Sequence, residues 1–61
     1  MKTEKEQKEI YFMQSVVLTN YAKLCIKLNE VPRLEVIEQT ANCEDLKTLV
    51  ESNKLILSKL K

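Results

Sequence analysis

The sequence predicts an all-α fold: a helical hairpin with a long first helix and a kinked or broken second arm, two to three helices in all, with coiled-coil-like packing. Three observations carry this. Gly is absent and Pro occurs once in 61 residues, so the tight turns that punctuate β folds lack the residues that form them. Apolar residues recur at helical steps of three and four through two long stretches. The one proline, Pro32, separates those stretches.

The opening Lys2–Glu9 is built from good helix formers. Thr3 is placed to cap a helix, with Glu6 completing a capping box. A charged helix start frays readily, so residues 1–5 are expected to fray within a single domain of residues 1–61. From Ile10 onward Met13, Val17, Tyr21, Leu24, Leu28 and Val31 line one side of a helix, and Tyr11, Leu18, Ala22 and Cys25 widen that side to about half the circumference. Phe12, Val16 and Ile26 fall outside it, beside Thr19, Lys23 and Lys27. The helix should stop near Asn29 or Glu30, because Pro32 disfavours helical backbone at Val31. Pro32 also suits the first turn of a following helix.

Residues 32–41 are ambiguous. Leu34, Ile37 and Ala41 fit a helical face, while Leu34–Ile37 also reads as a short strand. With no second strand to pair with, helix is preferred. Leu46, Leu49, Val50, Ile56, Leu57 and Leu60 form a clear final stripe that is out of line with the preceding face. A break near Asn42 resolves the mismatch, with Asn42 as N-cap and Asp45 as a weaker capping-box acid. Asn53 lies in the middle of the final stripe. A buried Asn in such a seam fixes register at a cost in stability, and replacing it with Leu should then raise stability; at the edge of the bundle it would bond to water instead.

Chemistry is sparsely provided. Without His there is neither an ordinary general base near neutral pH nor an imidazole ligand. Cys25 and Cys43 stand alone, with no second Cys pair for a metal, and Glu44 and Asp45 oppose thiolate formation at Cys43. Gly-rich phosphate loops are excluded. No catalytic residue, cofactor or metal is expected. Residues 30–45 carry five acids against Arg33 alone, and residues 46–61 carry four lysines against Glu51. Acids at the start of the final helix and lysines at its end match the helix dipole. The absence of an apolar run or leader pattern predicts a cytoplasmic protein with reduced thiols and no membrane span.

A wide apolar face on so small a chain predicts a non-catalytic protein–protein interaction module: a small subunit, adaptor or chaperone-like protein that completes its face with itself as a homodimer or with another chain as a heteromer. The expected interface is Phe12, Met13, Val16, Val17, Tyr21, Ile26 and Asn53. The alternative is a small dimeric regulator binding nucleic acid. The size, the hairpin outline and the string Lys27-Leu28-Asn29-Glu30 before the turn resemble the small helical-hairpin RNA binders that regulate plasmid copy number. A net charge of +1 speaks against that partner. In outline the chain also resembles the small hairpin co-chaperones of bacterial secretion needles, a likeness of size and shape.

Overall fold

The computed structural model describes residues 2–61 and contains three helices: α1 (Glu4–Leu28), α2 (Leu34–Asn42) and α3 (Leu46–Leu60). The long first helix and the broken second arm are both present, and the ambiguous stretch after Pro32 is helical from Leu34. The Thr3 hydroxyl accepts the Glu6 N–H at 3.1 Å and opens α1. Glu4 and Lys5, expected to fray, lie within the first helical turn; Met1 lies outside the described residues.

α1 ends where Asn29 takes the left-handed conformation, with φ 56 and ψ 42. The Glu30 N–H then bonds back to the Cys25 carbonyl at 2.9 Å, and the Asn29 N–H to the Ile26 carbonyl at 3.1 Å. Helices commonly end this way on Gly; in a chain without Gly, Asn is the residue best suited to a positive φ. Pro32 lies outside both helices, two residues ahead of Leu34, rather than in the first turn of α2.

The chain reverses twice. Tyr21 receives the Arg33 N–H at 2.9 Å on its hydroxyl, and Gln14 donates to the Cys43 carbonyl at 2.7 Å. Those two bonds lay α2 back along α1 from Tyr21 towards Gln14. α3 then turns again and runs parallel to α1: Asn20 meets Asn53 and Lys27 meets the Leu60 carbonyl, both at a sequence offset of 33. The break in the second arm is therefore a full reversal. It falls at residues 43–45, so Asn42 closes α2 and Asp45 is the N-cap of α3. Asp45 takes that role because its Oδ1 accepts the Lys47 N–H at 3.1 Å while its Oδ2 accepts from the Thr48 hydroxyl at 3.0 Å.

The core is narrow. Ile10, Val17 and Leu49 are sealed, and Met13, Cys43, Leu46 and Ile56 pack around them; Leu24 and Cys25 are also buried. Leu28 and Val31, expected to continue the stripe of α1, are exposed because α1 stops at Leu28 and the chain turns away. Of the face expected on α2 only Ile37 is half-covered: Leu34 and Ala41 are exposed, and Val36, Ile37 and Thr40 are the half-buried positions. The Tyr21 and Gln14 anchors fix that rotation. On α3, Leu57 is partly exposed while Leu49 is sealed.

The cap at Asn29 yields a direct test. Asn29→Val should destabilise the chain by about 1–2 kcal/mol, the cost of a Cβ-branched side chain in the left-handed region. Asn29→Gly should leave stability unchanged or raise it slightly. Urea melts of the two variants check this, and equal losses would place the end of α1 elsewhere.

Candidate interaction site

α1 presents two faces of different character. The inner face carries a ladder of polar rungs between apolar layers. At one end the Lys2 ammonium donates to the Glu44 carbonyl. Next Gln14 reaches the Cys43 carbonyl. In the middle Asn20 Nδ2 donates to Asn53 Oδ1 at 2.7 Å. At the far end Lys27 Nζ donates to the carbonyls of Lys59, Leu60 and Lys61 at 3.4, 2.7 and 3.2 Å. These last three are carbonyls that a helix end leaves unpaired, and a cation there also suits the helix dipole. Among the described residues no buried side-chain nitrogen or oxygen lacks a partner.

The seven expected interface residues separate between the faces. Val17 is sealed by α3, Met13 packs against the same core, and Tyr21 is half-buried with its hydroxyl on the Arg33 N–H. Asn53 is half-buried and bonded to Asn20. These four belong to the inner face. Val16 is half-buried beyond the seam, and Phe12 and Ile26 stand 67% and 80% exposed. Asn20 carries a readable signal of its own, lying three residues after Val17 and four before Leu24, at the spacing of the stripe. Gln14 and Lys27 carry none, because their bonds go to backbone carbonyls whose positions depend on the chain reversal.

Between α2 and α3, with α1 as its floor, lies an open groove of about 360 Å³. Val17, Leu24, Val36 and Leu55 give it an apolar lining, to which Thr48 and Lys59 add polar groups. Cys43 also lines it, with its thiol directed to the Asp45 carbonyl at 3.6 Å, and both cysteines are free. A further apolar group surrounds the α1–α2 turn, where Val31 is 86% and Leu34 67% exposed. No helix among the described residues is long and apolar enough to cross a membrane. Comparison of the chain with family models, curated proteins and solved structures finds no match.

The Asn20–Asn53 pair changes what substitution does. Asn53→Leu alone strands the Asn20 amide in a half-buried seam and should cost about 1–3 kcal/mol. Asn20→Leu combined with Asn53→Leu removes both polar groups and should recover most of that loss, with looser alignment of α3. A double-mutant cycle read by thermal melts checks this. Additive losses from the two single changes would mean that the amides do not pair.

Asp45 links the structure to pH. The Thr48 hydroxyl holds its carboxyl below the ordinary value, partly offset by desolvation and helped by the Lys47 and Thr48 backbone and the Lys2 ammonium. A lowered folded-state pKa adds stability above the unfolded-state value, about 4, that is lost as the pH falls through the folded-state value. Asp45→Asn keeps a capping oxygen and removes the titration. Melting temperatures of parent and variant should therefore differ at neutral pH and converge in acid. A gap that persists into acid would contradict this.

Proposed function

We propose that this chain is a non-catalytic protein–protein interaction module, a small helical subunit, adaptor or chaperone-like protein whose apolar surface is completed by another chain. One observation carries the reading. The chain exposes 4852 Å², whereas a compact folded chain of 7.1 kDa exposes about 4,100 Å². The excess, roughly 750 Å², approaches the ~800 Å² that each partner contributes to a standard protein interface. The radius of gyration of 11.9 Å likewise exceeds the about 10.5 Å expected for this length.

The excess is apolar where it matters. Phe12, Ile26, Val31 and Leu34 are all large, and all more than half exposed; several such side chains left uncovered on so small a chain favour a partner. The lack of His supports a non-catalytic role. Lys27, needed with Lys23 for any basic stripe, is engaged on the carbonyls of α3, which favours a protein partner over nucleic acid.

The reading is tested on the purified chain at low micromolar concentration. A broad thermal transition and binding of a hydrophobic dye are expected, with the melting temperature rising once the surface is covered. A sharp, concentration-independent transition with no dye bound would overturn it.

A further inference from the structure

We propose that the partner covering the outer face of α1 is a second copy of this chain, packed α1 against α1 about a two-fold axis beside Thr19. The proposal rests on the interaction-module reading and names its partner. A symmetric dimer needs a patch complementary to itself, and the outer face of α1 has that pattern. Phe12 lies seven residues before Thr19 and Ile26 seven after, both on the side turned away from α2 and α3. Seven residues return a helix to within about 20° of the same direction, so all three share one line along α1. Antiparallel pairing about Thr19 sets Phe12 of each copy against Ile26 of the other, twice over.

The centre of this face is small. Ser15, Thr19 and Ala22 are all exposed, so two copies of α1 approach closely enough for the larger residues on either side to interdigitate. A net charge of +1 selects no oppositely charged partner. The excess surface of roughly 750 Å² is spread over the whole chain, and it is of the order that one side of a dimer of standard size removes. The groove between α2 and α3 and the apolar turn at Val31 and Leu34 stay open in such a dimer.

The test uses charge exchange. Phe12→Glu and Ile26→Lys are each expected to weaken dimerisation about tenfold or more by sedimentation equilibrium, with the helical circular dichroism of the parent retained. Mixed in equal amounts, they should recover a one-to-one dimer. The two substituted side chains then meet as an ion pair on one side of the axis, and Phe12 and Ile26 meet unchanged on the other. A mixture that stays monomeric, or single variants that still dimerise, would overturn the proposal. If Phe12→Glu lowers helicity, Thr19→Arg is read instead, because it adds bulk at the axis without touching the core; a dimer that survives it overturns the proposal. A monomeric parent that melts broadly and binds dye overturns the second copy as partner and leaves the interaction-module reading standing. A monomeric parent that melts sharply without dye overturns both.

Discussion

The pairing of α1 with α3 carries this structure, and the hydrogen bond between Asn20 and Asn53 sets how the two align. The apolar part of that seam is short: Ile10 and Val17 from α1, Leu49 from α3, with Met13, Leu46 and Ile56 around them. Leu, Ile and Val layers of similar size tolerate a slip of one turn at modest cost, whereas a slip here would strand two amides in a half-buried seam. The same alignment brings Lys27 to the last carbonyls of α3 and Lys2 to the Glu44 carbonyl. The polar rungs thus agree with one another, and each is satisfied only in this register. α2 depends on the seam as well. At nine residues, with no side-chain N-cap and no buried residue, it is too short to persist alone, and it stays helical because Tyr21 and Gln14 tie its two ends to α1.

A second constraint follows from size. One long helix has two faces, and α2 and α3 together reach only one of them. The extents of 40 × 23 × 13 Å describe a flat object, thin in the direction in which a further layer would pack. In so small a chain a single core is marginal, so apolar surface left outside it favours a partner. Phe12 and Ile26 lie on the uncovered face of α1, and Val31 and Leu34 at the turn beyond its end.

Much of the architecture was legible in the residues, for identifiable reasons. The steps of three and four from Ile10 to Leu24 mark the inner face of α1 directly, and the Thr3 cap was readable from a hydroxyl three residues before an acid. The position of the second break was not. Asn42 and Asp45 are both good caps, and what decides between them is the Thr48 hydroxyl on Asp45, together with a Gln14 bond to a carbonyl 29 residues away. The direction of α3 was hidden for the same reason: a stripe of Leu and Ile reads identically in either orientation. The rotation of α2 is not legible in the residues, because periodicity alone cannot distinguish Leu34 and Ala41 from Val36 and Thr40 on a helix this short. Of the residues expected at an interface, spacing separates Phe12 and Ile26 from the inner stripe. It could not show that Val17 and Tyr21 are already claimed by α3 and the Arg33 backbone.

The parallel course of α3 is the claim on which the rest turns, and the native lysines test it. Treated with a short amine-reactive cross-linker and analysed in the monomer-sized band, the chain should give links from Lys27 to Lys59 or Lys61 and from Lys2 to Lys47, since the Lys27 amine reaches the carbonyls at the end of α3 and the Lys2 amine the Glu44 carbonyl, two residues before its start. Links within one chain from Lys2 or Lys5 to Lys59 or Lys61, which an arm folded back antiparallel would produce, would contradict the account.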